Sequence, residues 1–140
     1  MSLHIKLQLS RRVYDEMLAQ AVSELPNECC GLLAGCNRRV THRYPLTNAL
    51  ASPVRYESDP KELFAAYKDM RRQGTDQLAI YHSHPTSDPV PSRTDLEQNY
   101  QGPDMVYLII SLKGSEPRAR AWQLGEATYE EVGWTCFDTV

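Results

Sequence analysis

Two uncharged apolar segments constrain the fold of this chain more than any other feature of its sequence. They run from Cys29 to Cys36 and from Met105 to Leu112. Each is far shorter than the roughly 20 residues that a membrane-spanning helix requires. Both regions have the composition of a buried strand, and we expect strands over residues 28–35 and 105–112. Because helical patterns lie beside and between them, they predict a mixed α/β domain in which helices flank a sheet.

Two segments carry the pattern of an amphipathic helix. In the first, from Arg11 to about Leu25, apolar residues recur every four positions and form one stripe. In the second, Asp59 occupies the N-cap position, Pro60 follows as the first helical residue and Gly74 ends the helix. A third helix is expected to begin near Ser92, after a proline-rich loop.

The remaining patterns predict strands. Polar and apolar residues alternate in some of them, and others are short apolar runs bounded by turn residues. One of them, at 39–44, is expected to form a hairpin with the first apolar segment. The predicted strands outside the two apolar segments span residues 3–9, 39–44, 55–56, 78–84, 118–124 and 127–132.

Size, composition and charge indicate one globular domain over residues 1–140. The chain is 41% hydrophobic and 24% charged, and its net charge is −3. A net negative charge attracts neither phosphate backbones nor anionic lipids, so nucleic acid and membranes are not expected partners. The segment from Met1 to Lys6 lacks the apolar core of a signal peptide, and we therefore expect a cytoplasmic protein.

The four cysteines do not form a zinc-binding pattern. Cys29, Cys30 and Cys36 lie within eight residues, Cys136 lies far from them, and no C-x-x-C pair occurs. Free cysteine commonly packs as a small apolar side chain. We therefore expect four reduced, buried and unreactive thiols.

The segment from His82 to Asp95 carries the strongest indication of chemistry. Residues two apart on a strand face the same side, so His82 and His84 present two imidazoles together. Seven residues separate His84 from Ser92, and Asp95 lies in the first turn of the predicted helix. Two imidazoles and a carboxylate suit Zn²⁺ with one open position, which indicates catalysis. The same donor set also suits a non-haem Fe(II) oxygenase.

A hydrolytic zinc site also needs a group that accepts a proton and later delivers it to the leaving amine. Glu28 is the candidate because it opens an apolar strand directly after the first helix. A carboxylate is an unsuitable residue for a position that only packs. Spacing alone leaves open the alternative of an exposed carboxylate at the end of a strand.

At these positions the sequence resembles the JAMM, or MPN-plus, family of zinc metalloproteases. The family pattern is an upstream glutamate, then His-x-His-Pro, then Ser-x-x-Asp after a fixed spacing, and this chain matches it at every position. The resemblance implies that His82, His84 and Asp95 bind zinc. It also implies that Glu28 is the general base and acid, and that Ser92 stabilises the oxyanion.

The resemblance further implies a fold and a substrate class. The fold would be a single-domain MPN, or cytidine-deaminase-like, fold with a mixed curved sheet and about three helices. The chain is most similar to bacterial stand-alone members, which implies cleavage of peptide or isopeptide bonds after the C-terminal Gly-Gly tail of a ubiquitin-like or sulfur-carrier protein. Only glycine lets a backbone pass closely through a narrow groove. A non-catalytic MPN scaffold remains an alternative, although such modules lack the ligands.

Several of these residues also have a purely structural interpretation. Ser92 and Asp95 have the spacing of a capping box. Asp88 precedes a proline and favours a turn. Asn48 and Ser111 occupy places where relatives often carry polar residues that line the site, yet each could simply end an element. No pattern in the chain indicates an oligomeric state.

Overall fold

The computed structural model describes residues 3–138. Met1 and Ser2, which begin the segment considered above for a signal peptide, lie outside the described residues. The strands are β1 (Ile5–Ser10), β2 (Cys30–Cys36), β3 (Arg39–Leu46), β4 (Asp76–His84), β5 (Val106–Ser111), β6 (Arg118–Leu124) and β7 (Tyr129–Phe137). The helices are α1 (Arg11–Ser23), α2 (Pro60–Gln73) and α3 (Arg93–Glu97).

The strands form one mixed sheet that closes into a barrel. Their order around the barrel is β1-β3-β2-β4-β5-β6-β7. Strand β1 runs parallel to β3 and β7, and β4 runs parallel to β5, whereas the other neighbours are antiparallel. A mixed curved sheet with three helices was predicted, and the structure confirms it. The predicted hairpin between β2 and β3 is also confirmed.

Alternation along the strands divides the buried residues into two clusters. One cluster packs against α1, which contributes Val13, Met17 and Ala21 from its apolar stripe. The other packs against α2, which contributes Ala66 and Met70. Because successive side chains of a strand face opposite sides, each central strand supplies residues to both clusters.

Local capping accounts for the helix boundaries. The hydroxyl of Ser10 accepts a hydrogen bond from the backbone amide of Val13 at 3.1 Å and caps α1. The carboxylate of Asp59 caps α2, and Gly74 ends that helix in the left-handed conformation with φ of 70°. Left-handed backbone suits glycine because glycine has no Cβ. These caps confirm the first two predicted helices, although α1 ends at Ser23, before the predicted Leu25.

The predicted short strand at Arg55 and Tyr56 is wrong. The side chain of Asn48 binds the backbone carbonyl of Arg55 and the backbone amide of Glu57, which a strand would have paired with a neighbour. Only an isolated bridge between Asn48 and Ser58 occurs in this part of the described chain. The predicted strand at 127–132 exists, but it is shifted and extends to 137 as β7.

All four cysteines are free, as expected. Cys29 and Cys30 are buried, whereas Cys36 is exposed and Cys136 is partly exposed. The prediction of burial is wrong for Cys36 because this residue ends β2 at the hairpin turn, where the strand leaves the core. It is also wrong for Cys136, which lies near the end of β7. Within residues 3–138, no helix is long and apolar enough to cross a membrane.

Candidate metal centre

The C-terminal end of β4 places the two histidines on the side of the sheet that faces α2. His82 and His84 continue the face on which Ile80 packs in the α2 cluster. Both side chains are buried, and their Nε2 atoms lie 3.2 Å apart. The extended backbone therefore brings the imidazoles together as the two-residue spacing predicts.

Asp95 reaches the same point from the first turn of α3. Its Oδ1 atom lies 3.2 Å from His82 Nε2, and its Oδ2 atom lies 3.2 Å from His84 Nε2. Burial alone would raise the pKa of Asp95, but the charges and hydrogen bonds of the two histidines hold that pKa well below its usual range. The carboxylate is therefore ionised at neutral pH.

These three side chains form a cluster that can hold a metal ion. One ligand atom from each of His82, His84 and Asp95 lies within 4.8 Å of the others. Two nitrogen donors and one carboxylate leave a fourth tetrahedral position open, which is the composition of a catalytic zinc site. No other group of this kind occurs among residues 3–138.

The capping box that the sequence also allowed is present, and it holds the carboxylate in place. The Ser92 hydroxyl accepts a hydrogen bond from the Asp95 amide at 3.0 Å, and the Ser92 amide donates to Asp95 Oδ2 at 2.9 Å. The capping interpretation is therefore confirmed, and the same contacts hold the Asp95 carboxylate beside the two histidines. Because the Ser92 hydroxyl accepts this bond, its own proton is left to donate.

Glu28 lies beside the cluster as a buried carboxylate. Cys29 pairs with Ser83 through two hydrogen bonds, of 2.8 and 3.1 Å, and this pairing fixes the chain at Glu28 opposite the end of β4. Only 4% of the Glu28 surface is exposed, and Oε1 has no hydrogen-bond partner among the described residues. Burial raises the pKa of Glu28 to about 7, and the nearby charges of His82 and His84 oppose that rise.

The loop between β4 and α3 is held by hydrogen bonds and orients the imidazole of His84. His84 Nδ1 donates to the backbone carbonyl of Asp88 at 2.8 Å, which fixes the orientation of the ring and directs Nε2 toward His82 and Asp95. Ser111 Oγ donates to the carbonyl of Ser87 at 2.6 Å, and Trp122 Nε1 donates to the carbonyl of Pro89 at 2.9 Å. Ser111 and Asp88 therefore support the site through the loop.

Two further residues lie beside the cluster. Tyr56 had no functional assignment from the sequence, and Asn48 was considered as a polar residue that could line the site or simply end an element. The ring of Tyr56 stacks on His82 with 4.8 Å between centroids. The amide nitrogen of Asn48 donates to the carbonyl of Glu28 at 3.0 Å and to that of Arg55 at 2.9 Å. Both residues lie in the irregular segment 47–58, where no periodicity or motif could indicate these contacts.

A cavity of about 340 Å³ adjoins the cluster. Cys30, which is paired with His82 across the sheet, lines it together with Tyr56. Its other walls include aromatic and apolar residues of α2 and β5, among them Tyr67 and Tyr107. A concave surface with four tyrosines among its lining residues therefore lies next to the cluster and contacts His82 through Tyr56.

A mixed barrel that carries two histidines and an aspartate beside a buried glutamate defines the JAB class of metal-site domain. The sequence matches the model of a family described as prokaryotic homologs of the JAB domain over residues 10–125. The chain belongs to this family. The predicted JAMM or MPN-plus membership and JAMM-type peptidase class are thereby confirmed.

Individual relatives agree with this membership. A desampylase of Haloferax volcanii is 41% identical over 116 residues, which cover 78% of this chain and 83% of the relative. A CysO-cysteine peptidase of Mycobacterium tuberculosis is 35% identical over 99 residues, which cover 69% of this chain and 67% of the relative. A solution structure from Desulfitobacterium hafniense superposes with a TM-score of 0.86 at 35% identity and covers 96% of this chain and 94% of that one.

Proposed function

We propose that this chain is a zinc-dependent hydrolase that cleaves a peptide or isopeptide bond after the C-terminal Gly-Gly tail of a ubiquitin-like or sulfur-carrier protein. The proposal depends on one observation: His82, His84 and Asp95 converge beside the buried carboxylate of Glu28. Relatives named desampylase and CysO-cysteine peptidase support it. We further propose that residues 1–140 form one such domain, and free thiols favour a cytoplasmic location.

The donor set fits zinc. His82 and His84 would each contribute Nε2, and Asp95 would contribute a carboxylate oxygen. Zinc, when bound, supplies a Lewis acid that lowers the pKa of a water molecule to about 7 and polarises a carbonyl group. The chain itself must provide the proton transfer and the stabilisation of negative charge.

Glu28 is suited to proton transfer in both directions. Its Oε1 atom has no partner among the described residues, so it can accept a proton from the attacking water. In the metal-free protein burial raises the pKa of Glu28 to about 7, so its surroundings accommodate the protonated carboxyl as well as the ionised one. Glu28 would then return the proton to the departing amine.

Ser92 is suited to stabilising the oxyanion. Its hydroxyl oxygen is fixed by the amide of Asp95, and its hydroxyl proton can turn toward a substrate oxygen. Such a preorganised donor stabilises negative charge that develops in the transition state. The contact that caps α3 therefore also fixes the position of the donor.

The cavity beside the cluster suits a diglycine tail. Tyr56, Tyr67 and Tyr107 contribute aromatic rings to its walls. A segment without side chains can bring its peptide planes close to such walls, whereas a larger residue would require a wider passage. The bond after the second glycine would then lie at the metal-binding cluster.

Two alternatives share part of this site. A non-haem Fe(II) oxygenase would use the same two imidazoles and carboxylate, but it does not require a buried general base such as Glu28. A non-catalytic scaffold would not require the intact ligand set. Family membership and the position of Glu28 favour the hydrolase over both.

The proposal can be tested with a ubiquitin-like carrier joined through its Gly-Gly tail to a lysine side chain. Mass spectrometry after incubation with zinc-loaded protein should show the free carrier ending in Gly-Gly. Zinc-stripped protein and the Asp95→Asn variant should show none. An adduct ending in Gly-Ala is the matched control for the tail. The proposal would be contradicted if the protein contained iron and consumed oxygen, or if zinc-loaded protein left the Gly-Gly adduct uncleaved.

A further inference from the structure

The two histidines of the cluster are held by different means. A metal-bound histidine usually donates its second ring N–H to a partner, which fixes the orientation of the ring. His84 follows this rule, because its Nδ1 donates to the carbonyl of Asp88. His82 departs from it, because its Nδ1 is buried and has no partner among residues 3–138. Another contact must therefore fix the plane of the His82 ring.

Tyr56 supplies that contact. Its ring stacks on the imidazole of His82 with 4.8 Å between centroids and 28° between planes. This separation lies in the range of favourable aromatic pairs. An imidazole that donates electron density to a cation becomes more positive, and a positive group is attracted to the face of a phenol ring. The stacking contact should therefore strengthen when a metal binds.

The position of Tyr56 is fixed from both sides along the chain. The Asn48 side chain accepts a hydrogen bond from the amide of Glu57 at 3.2 Å and donates to the carbonyl of Arg55 at 2.9 Å. The same amide nitrogen donates to the carbonyl of Glu28 at 3.0 Å. Asn48 thus connects the segment that carries Tyr56 to the segment that carries the proposed base.

We infer that Tyr56 is a positioning residue of the metal centre: its ring holds His82 Nε2 toward the ion in place of the missing hydrogen bond at Nδ1. The inference rests on the proposed zinc function. It assigns the aromatic ring, and not the hydroxyl group, to this task. It also places one wall of the substrate cavity in direct contact with a metal ligand.

The test is the zinc dissociation constant, measured by competition with a chromophoric chelator, which requires no substrate. Tyr56→Ala should bind zinc roughly 10-fold more weakly than the unaltered protein, as loss of an outer contact to a metal ligand typically does. Tyr56→Phe keeps the ring and should stay within about twofold of the unaltered protein. Tyr67→Ala removes an aromatic ring from the same cavity and should also stay within about twofold.

Two further measurements separate positioning from folding. Tyr56→Leu preserves apolar volume without a ring and should weaken zinc binding like Tyr56→Ala, while the metal-free variants keep the circular dichroism of the unaltered protein. The visible spectrum of the Co²⁺ form should change in both ring-deleted variants and be restored in Tyr56→Phe.

The possible outcomes distinguish this inference from the proposed function. Unchanged zinc affinity and an unchanged Co²⁺ spectrum in Tyr56→Ala would overturn the positioning role and leave the hydrolase proposal intact. Weakened binding in Tyr56→Phe equal to that in Tyr56→Ala would also overturn it, because the hydroxyl would then be responsible. An unaltered protein that binds no zinc would overturn both.

Discussion

The two carboxylates of the site have opposite electrostatic surroundings. Burial raises the pKa of Glu28 to about 7. Asp95 is partly buried, and direct contacts with His82 and His84 hold its pKa well below the usual range. Carboxylates whose surroundings separate their pKa values in this way commonly divide acid and base roles between them. This contrast supports the proposal that Glu28 carries the proton while Asp95 stays charged.

The first prediction concerns Glu28 as the proton carrier. Glu28→Ala and Glu28→Gln should retain zinc and lower kcat by about 10²- to 10⁴-fold, since they remove general acid and base catalysis. Steady-state kinetics and metal analysis check this result. Glu130→Gln, an exposed carboxylate on β7, is the matched control and should retain activity. Substantial turnover by Glu28→Ala would refute the role.

The second prediction concerns the stability of the metal-free protein. Because folding raises the pKa of Glu28 from 4.5 to about 7, the folded state binds a proton more readily than the unfolded chain. Stability is therefore lost as pH rises between these values. Glu28→Gln removes this penalty. At pH 8 its free energy of unfolding should exceed that of the unaltered protein by on the order of 3 kcal/mol.

Urea unfolding at two pH values measures this difference. Near pH 4 the carboxyl of Glu28 is protonated in both states, so the free energies of unfolding of the variant and the unaltered protein should agree. The same stability difference at pH 4 and pH 8 would show that proton binding at Glu28 is not its cause.

At the scale of elements, the antiparallel pair of β2 and β4 positions the site. Gly31 is paired with Tyr81, and a Cβ atom at residue 31 would overlap the Tyr81 ring. The ring cannot easily move, because its hydroxyl donates to Gln20 Oε1 at 2.6 Å and accepts a bond from Arg43 at 3.2 Å. Glycine at this position lets the two strands that carry the site pack closely.

The third prediction follows from this contact. Gly31→Ala should lower the free energy of unfolding by about 1–3 kcal/mol, the usual cost of overpacking. Tyr81→Leu provides a smaller partner, so the double variant should lose less than the sum of the two single variants. Chemical denaturation of all four proteins measures this coupling. Strict additivity would contradict the proposed steric conflict.

Local sequence predicts the elements best where the determining contacts are close along the chain. The caps at Ser10 and Asp59 and the end of α2 at Gly74 are such contacts. The strand end with His82 and His84 was likewise predictable, because its geometry follows from the two-residue period alone. The contacts of Asn48 and Tyr56 were not, because an irregular loop brings them to residues far away in the sequence.

At the scale of the whole molecule, closure of the barrel joins the two ends of the described chain. Strand β1 pairs in parallel with β7, with Leu9 opposite Cys136. The family resemblance implied a curved mixed sheet, but the sequence contained no sign of this register, because alternation specifies a face and not a distant partner. The site lies on the central strands of this closed structure and links β2, β4 and α3.

The fourth prediction concerns coupling between metal binding and global stability. A ligand that binds only the folded state stabilises it by mass action, by about 2.7 kcal/mol at a free concentration 100 times its dissociation constant. Zinc should therefore raise the Tm of the protein, and a chelator should reverse the change. Asp95→Asn should show a much smaller shift. An equal shift in Asp95→Asn would mean that zinc binds elsewhere.

Anomalous diffraction at the zinc absorption edge, from crystals of the zinc-loaded protein, tests the central claim most directly. The account predicts one anomalous peak per chain, bound by His82 Nε2, His84 Nε2 and a carboxylate oxygen of Asp95, with Glu28 beside the open position. The account would be contradicted if zinc-loaded crystals showed no peak at this cluster. It would also be contradicted if one or more of these three side chains did not contact the peak.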